Sequence, residues 1–338
     1  MTKKLYILST VVLILAAVMA ALMLWLQANQ FTAEINDTVS KIPSTTFNLI
    51  VYTDVHHDRE QIDPVDAYIP TLDNVSQVLK RAKIDTVWNL GDIINGFHTT
   101  KEEGMAEIRD VTSYEDKVSS NIHRIMGNHD NNIQATYYGL PETEVLSAGE
   151  VNELLRNDHT NQEEHRSSLH PTDYYVDFDQ LRVICISADV TTFLPETSTW
   201  LKETALHTEL PVLILSHIPT RPEWGFHNDV VGGEMIEETL REFIIAGGEV
   251  IAFIHGHDHG DMISTVTDEN GRALLHEVCV ACSRFHVPLG NGTPGMTFWE
   301  RKEDDATMLI FDVVSVDLEN RKVQFTRFGA GEDRVIEY

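Results

Sequence analysis

Apolar residues recur along this chain in two rhythms. Short runs rich in β-branched residues alternate with stretches in which apolar positions return every three or four residues. The runs FNLIVYTD (47–54), DTVWNLGD (85–92), NIHRIMGN (121–128), PVLILSH (211–217) and EVIAFIHG (249–256) predict strands. Between them, TLDNVSQVLKRAK (71–83), PETSTWLKETALH (195–207) and GEMIEETLREFIIAGG (233–248) carry the helical period. The last ends in glycines, as helix C-termini often do. YYVDFDQLRVICISAD (174–189) predicts a hairpin turning near Asp179 and Gln180, and LLHEVCVAC (274–282) predicts a strand. TMLIFDVVSVDLENRKVQFTRF (307–328) predicts a second hairpin, around Leu318–Asn320. Strand–helix–strand succession is the order of an α/β fold. The β-pairs at the centre and the C-terminal end suggest two sheets face to face, with helices outside.

One segment fits neither rhythm. Lys3 and Lys4 precede Leu5–Leu26, which carries no charged side chain. As a helix it would reach about 33 Å, enough to cross a bilayer. Its apolar stretch is longer than the roughly 7–15 residues of a cleavable signal core, and Leu26-Gln27-Ala28 is a poor cleavage site. Residues 1–30 are therefore expected to be an uncleaved membrane anchor, with a signal peptide as the alternative. The lysines would stay inside and the remainder would be exported. The protein is then expected at the cell membrane with its main domain outside the cytoplasm, or secreted if the segment is cleaved. Residues 31–46 are polar without period and read as a linker; 47–338 reads as one domain.

Composition narrows the partners. A hydrophobic fraction of 42% argues against disorder. Lys+Arg 25 against Asp+Glu 53 gives a formal charge of −28, which repels nucleic-acid polymers and anionic headgroups. Three cysteines, Cys185, Cys279 and Cys282, are too few for a disulfide scaffold. Cys279 and Cys282, three apart on a predicted strand, would face opposite sides, so they read as core or pocket-wall residues.

The chemistry sits where strands end. Five predicted strands finish in Asp54-Val55-His56, Gly91-Asp92-Ile93-Ile94-Asn95, Gly127-Asn128-His129-Asp130, Ser216-His217 and Gly256-His257-Asp258-His259. Ligands of open α/β sheets bind at the carboxyl ends of strands. Carboxylates, an amide oxygen and imidazoles in that number exceed one tetrahedral ion and suit two sharing a bridge. These donors fit Mn²⁺, Fe²⁺ or Zn²⁺. Glycines 91, 127 and 256 allow tight turns at the strand ends.

The five pieces, in this order, resemble the calcineurin-like metallophosphoesterase family, whose pattern is DxH, GDxx(D/N), GNH(D/E), a lone strand-end His and GHxH. The resemblance implies an αββα sandwich of two sheets holding two divalent ions. One ion would be held by Asp54, His56, Asp92 and His259, the other by Asp92, Asn128, His217 and His257, with Asp92 bridging. It implies a hydroxide between the ions attacking phosphorus, with His129 contacting the phosphoryl group or protonating the leaving oxygen. The phosphoprotein phosphatase branch has an aspartate and an arginine where this chain has Asn95 and Gly96, so an amide would fix His129 and polarise it less. The tyrosine that purple acid phosphatases carry at the Asn95 position is missing.

Other residues fall near this set. His57 and Asp130 adjoin ligands and read as supporting or substrate-side groups. His255 reads as a structural strand-end residue, and His98, His123, His227 and His286 as loop histidines. Specificity is expected in three loops, 96–120, 218–233 and 283–305. Arg221 with Trp224 and Phe226, and Arg284 with Phe285 and Trp299, would clamp a base or sugar ring and a second phosphate, or else the aromatics pack their own loops down. RFGAGEDR (327–334) resembles the end of many exported family members and is expected to cap a sheet edge, bringing Arg327 or Arg334 near the site. The expected activity is hydrolysis of small phosphate esters, a phosphodiester or nucleotide ahead of a phosphomonoester. The alternatives are a phosphate-binding receptor or pseudoenzyme without turnover, and an ectodomain whose histidines only store metal.

Overall fold

The structure, a computed structural model, describes residues 15, 18–19, 31–59, 68–221, 230–268, 270–283, 295–302 and 305–338. The first sheet runs in the order β13-β12-β11-β1-β2-β3. Its strands are β1 (Phe47–Tyr52), β2 (Thr86–Asn89), β3 (Ile122–Arg124), β11 (Ile310–Asp317), β12 (Lys322–Gly329) and β13 (Arg334–Glu337). The second sheet runs β4-β5-β6-β7-β8-β10-β9. It comprises β4 (His165–Arg166), β5 (Tyr174–Asp177), β6 (Arg182–Ile186), β7 (Val212–Ser216), β8 (Val250–His255), β9 (Met262–Thr267) and β10 (Ala273–Cys279). β1, β2 and β3 are parallel neighbours, as are β7 and β8. These central strands are buried on both faces, which is why they read as unbroken apolar runs rather than alternating ones.

Alternation along β1 builds two layers at once. Leu49 and Val51 enter the core between the sheets with Trp88, Leu213, Leu215, Ile254 and Phe325. Ile50 and Tyr52 face outward, onto α1 (Thr32–Lys41), α2 (Tyr68–Leu79), α3 (Lys101–Val118) and α4 (Ala148–Leu155). On the outer face of the second sheet, α5 (Pro195–Trp200) and α6 (Gly233–Ile245) cover Ile184, Ile214 and Phe253. The expected sandwich of two sheets between helix layers is present.

Two expectations are corrected. The 31–46 linker contains α1, which buries Ile35 and Thr38 and donates the Thr38 hydroxyl to the Arg327 carbonyl at 3.4 Å. Phe31, Ile35, Val39 and Ile42, at helical spacing, pack into the first core, a period easily missed among the polar residues between them. The 96–120 loop is mostly α3, opened by a capping box between Thr100 and Glu103. The predicted helix 195–207 is α5 continued by a π turn, Leu201–Ala205. Both hairpins form as expected, and β13 is the strand that closes the sheet edge at RFGAGEDR. The expected anchor lies outside the described residues except for Leu15, Val18 and Met19. Among the described residues, no helix is long and apolar enough to cross a membrane.

Candidate metal centre

The carboxyl ends of β1, β2 and β3 meet those of β7 and β8 at one edge of the sandwich. Beyond the last paired residues the chain keeps its parallel course: Asp54 N donates to the Gly91 carbonyl and His56 N to the Asp92 carbonyl, both at 2.9 Å. Gly127 lies so close to Asp92 that a Cβ would stand 2.1 Å from its nitrogen. Gly256 is equally pressed, with Thr53 Oγ1 2.1 Å from where a Cβ would be. No side chain fits at either turn, so the donors themselves come together.

They come together at ligand spacing. Donor atoms of Asp54, His56 and His259 lie within 4.8 Å of one another, as do those of Asp92, His217 and His257, and those of His56, Asp92 and His129. Asp92 Oδ2 is 3.2 Å from His217 Nε2 and 3.7 Å from His56 Nε2. Asn128 Oδ1 stands 3.0 Å from His217 Nε2 and 2.8 Å from His257 Nδ1. His56 Nε2 and His259 Nε2 face each other at 3.1 Å.

Two observations test whether this set fits cations. Asp54 Oδ1 is buried with no hydrogen-bond partner among the described residues, yet imidazole Nε2 atoms ring it: His259 at 3.2 Å, His56 at 3.8 Å and His217 at 4.0 Å. The backbone is also strained at the ligands. Asp54 (φ 55°), His56 (48°), Asp92 (52°), His257 (70°) and His259 (60°) are all left-handed, a conformation that only Asn132, Val190 and Arg321 share among the other described non-glycine residues. Such geometry costs about 1–3 kcal/mol per residue and concentrates at working sites. Carboxylate, imidazole and amide oxygen suit borderline divalent ions.

The electrostatics prepare the same donors. Burial alone would raise the Asp54 and Asp92 carboxyls. His259 and His217 beside Asp54, and His217 and His129 beside Asp92, instead hold both below the ordinary range. Burial and the neighbouring His129 hold His56 well below its usual value, so its ring stays neutral. Burial opposes charge on His217, but Asp92 overrides it and pushes the ring up to about 9. A cation would take that proton's place. His217 Nδ1 donates to the Leu90 carbonyl at 3.0 Å, which fixes the ring and aims Nε2 inward, the usual arrangement behind a metal-binding histidine.

His129 is held differently from expectation. Its Nδ1 donates to the Asn95 backbone carbonyl at 2.5 Å, while the Asn95 amide donates to Asp58 at 3.0 Å. Its Nε2 stands 3.8 Å from Asp92 Oδ2. Asp130 faces away from any substrate: it is buried and accepts from the backbone of Asp92, Ile93, Ile94 and Gly127. His57 is buried against Asp110 and Tyr68. Arg221 is committed to Glu237. His98 lies in a loop, as expected, whereas His123 belongs to β3; both are buried, on Glu107 at 3.0 Å and Glu164 at 2.8 Å. His255 donates to the Gly256 carbonyl at 2.9 Å. All three cysteines are buried. Donors of His255, Asp258 and Cys279 also gather within 4.8 Å, but the Cys279 thiol donates to Gly256 at 3.3 Å and burial pushes its pKa well up. Trp224, Phe226, His227, Arg284, Phe285 and His286 lie outside the described residues. The supporting groups missed in sequence, Asp58 and Asp261, adjoin the first and last motifs. Adjacency was the only signal they carried.

A family model described as calcineurin-like phosphoesterase matches residues 47–261. Among solved structures, a dimetal phosphatase from Danio rerio aligns with a TM-score of 0.57 and 16% identity, over 87% of this chain and 99% of its own. A putative 5′-nucleotidase from Staphylococcus aureus, in complex with alpha-ketoglutarate, aligns at 0.43 and 14%, over 87% of this chain and 54% of its own. GAP50, the anchor in the inner membrane complex of Plasmodium, gives 0.48 and 11%, over 83% and 84%. At 16% identity the likeness to the dimetal phosphatase is one of fold. No curated protein sequence matches the chain.

Proposed function

The chain belongs to the calcineurin-like phosphoesterase family and is a phosphoric ester hydrolase, and we propose that its strand-end donors hold two divalent ions, Mn²⁺, Fe²⁺ or Zn²⁺, at which small phosphate esters are cleaved. Asp54, His56, Asp92 and His259 would hold one ion, and Asp92, Asn128, His217 and His257 the other. The observation that carries this reading is the strained backbone at five of those residues, joined to a buried carboxylate oxygen ringed by imidazoles. Bound ions would supply an activated water and positive charge at the phosphoryl oxygens. The chain supplies the rest. Asp92 receives the His129 backbone N–H on Oδ1 at 2.8 Å and so ties the two motifs together. With Nδ1 committed to Asn95, His129 can exchange a proton only at Nε2, the nitrogen facing the centre, and would give it to the leaving oxygen.

A monoanionic diester is favoured over a small dianionic monoester; a nucleoside monophosphate carries the same second charge and would be favoured only through contacts to its base. Arg59, three residues past His56, is paired with Asp110, and Arg221, four past His217, with Glu237. Neither is free to neutralise a second phosphate charge. The test is purified residues 31–338 loaded with each metal and offered bis-p-nitrophenyl phosphate and p-nitrophenyl phosphate. We expect turnover, with the diester preferred. His129→Ala should lower kcat roughly 10²–10⁴-fold with metal content unchanged. Two ions bound with neither ester cleaved would move the assignment to a phosphate-binding receptor. The segment Leu5–Leu26 is proposed to tether the protein to the membrane with 47–338 as one exported domain. An intact N-terminus in washed membrane fractions is the expected result.

A further inference from the structure

Two exposed aromatic rings, Phe97 against His129 and Tyr138 against Phe97, have no part in holding metal. Phe97 meets the His129 ring edge-on, centroids 5.7 Å apart and planes at 78°, and carries Tyr138 on its far side at 5.4 Å and 78°. Phe97 is 43% exposed, Tyr137 72% and Tyr138 77%. His129 also meets His56, with ring centroids 4.8 Å apart. Successive ring contacts thus connect a candidate metal ligand, His56, through the candidate proton donor to the exposed Phe97 and Tyr138.

The fold holds this line in place. Gly96 is left-handed at φ 71°, and a Cβ there would strike the His129 carbonyl at 2.3 Å, so the turn that presents Phe97 lies directly on the histidine backbone. Ala135 N donates to the Gly96 carbonyl at 3.1 Å. The Asn132 side chain grips His98 from both sides, accepting from its N–H at 2.9 Å and donating to its carbonyl at 3.1 Å. The Phe97 turn and the short helix Ile133–Tyr138 that ends in the tyrosines are therefore one stitched unit. Large rings left in water at the rim of a polar centre mark a contact surface. Edge-to-face rings offer flat π surfaces to another ring.

We infer that Phe97 and Tyr138 form a leaving-group subsite for a flat aromatic moiety, of nucleobase type, next to His129. The inference rests on the phosphoesterase reading, because the group joined to the leaving oxygen must extend outward past the residue that protonates that oxygen. In a nucleoside 5′-phosphate one pentose separates that oxygen from the base, and Phe97 and then Tyr138 are the successive rings met beyond His129.

The test compares adenosine 5′-monophosphate, ribose 5-phosphate and hexyl phosphate as competitors of bis-p-nitrophenyl phosphate turnover, in the metal-loaded protein and in Phe97→Ala and Tyr138→Ala. The base should tighten inhibition roughly ten-fold over ribose 5-phosphate in the parent protein. That advantage should fall to within about two-fold in Phe97→Ala and shrink in Tyr138→Ala, with the ribose 5-phosphate constant unchanged. Tyr138 lies open to solvent, so its variant reports even if Phe97→Ala folds poorly. Equal inhibition by the two phosphates in the parent overturns the subsite. So does hexyl phosphate matching the nucleotide, which would mean any apolar group suffices, or a loss that hits both phosphates alike. No turnover of the probe at all counts against the phosphoesterase reading itself.

Discussion

At the scale of single residues, Asp130 shows how the centre is assembled from behind. Its carboxylate accepts from Ile93 N and Gly127 N at 2.7 Å, from Asp92 N at 3.1 Å and from Ile94 N at 3.3 Å, binding the turns after β2 and β3 to each other. Burial first, then the Asp92 charge, push it up to about 7, against the pull of those N–H groups. Asp130→Asn turns one acceptor into a donor facing N–H groups. It should weaken metal affinity about 10–100-fold in a protein that still folds. Metal titration followed by calorimetry measures this, and unchanged affinity would show that the turns hold without it. Asn95 makes the opposite case. Its backbone carbonyl holds His129, so Asn95→Ala should cost less than about ten-fold in kcat, far below the loss on removing His129. Steady-state rates on one substrate decide between the two. The ligands were legible in sequence because each is a side chain at a strand end, inside a short spaced motif. The Asn95 carbonyl was not, because every residue has one and only the fold chooses which is used.

Elements were legible where burial is apolar and opaque where it is ionic. α3 escaped notice because its inner face carries Glu107 and Glu115 among Ile108, Val111 and Thr112, which breaks the apolar period. Glu115 is fully buried and accepts from Tyr52, Asn89 and Arg124, so its polarity is satisfied in a way no local pattern reveals. The capping box Thr100–Glu103 was the available signal. Glu115→Ala would leave Arg124 buried without that partner and should cost about 3–5 kcal/mol in denaturant unfolding. A change under about 1 kcal/mol would mean Asp116, also on Arg124, suffices alone. β10 carries a second buried acid. Glu277 accepts from Thr220 N at 2.6 Å and Thr220 Oγ1 at 3.0 Å, pinning the chain that leaves His217. Burial pushes it up to about 8 from an ordinary 4.5. A raised folded pKa means its stabilising contribution is full below about 4.5 and is lost as pH rises through about 8. Glu277→Gln, which cannot ionise, should flatten the fall in Tm between those limits. Thermal melts at pH 5 and pH 8.5 suffice: a variant that loses as much Tm as the parent would exclude the buried acid as the cause.

Across the whole molecule, the two sheets are joined beside the metal centre by buried charges. Asp261, two residues past His259, lies at the end of the family match, and its partners come from the strands beyond. Arg327 of β12 reaches Asp261 at 2.7 Å and Asp312 of β11 at 2.9 Å; Arg334 of β13 reaches the same two at 2.6 and 2.5 Å. Trp299 Nε1 donates to Asp261 at 2.5 Å, and Ala281 N donates at 3.2 Å. Burial would raise Asp261, but the two guanidiniums hold it below its ordinary value. The expected approach of Arg327 and Arg334 toward the site is thus made through Asp261, which fastens the edge strands of the first sheet to the loop carrying His257 and His259. A buried ion pair contributes little net stability, yet breaking one side leaves an uncompensated charge. Arg327→Ala should therefore cost about 3–5 kcal/mol, and it should loosen the His257–His259 loop more than its loss of stability explains. Arg327→Ala/Asp312→Ala, which removes one charge of each sign, should recover part of the stability while metal affinity stays weakened, because Asp261 has still lost Arg327. Denaturant unfolding and metal titration on both variants separate the effects. If metal affinity tracks stability in every case, the network is a fastener of the sheets alone and has no hold on the centre.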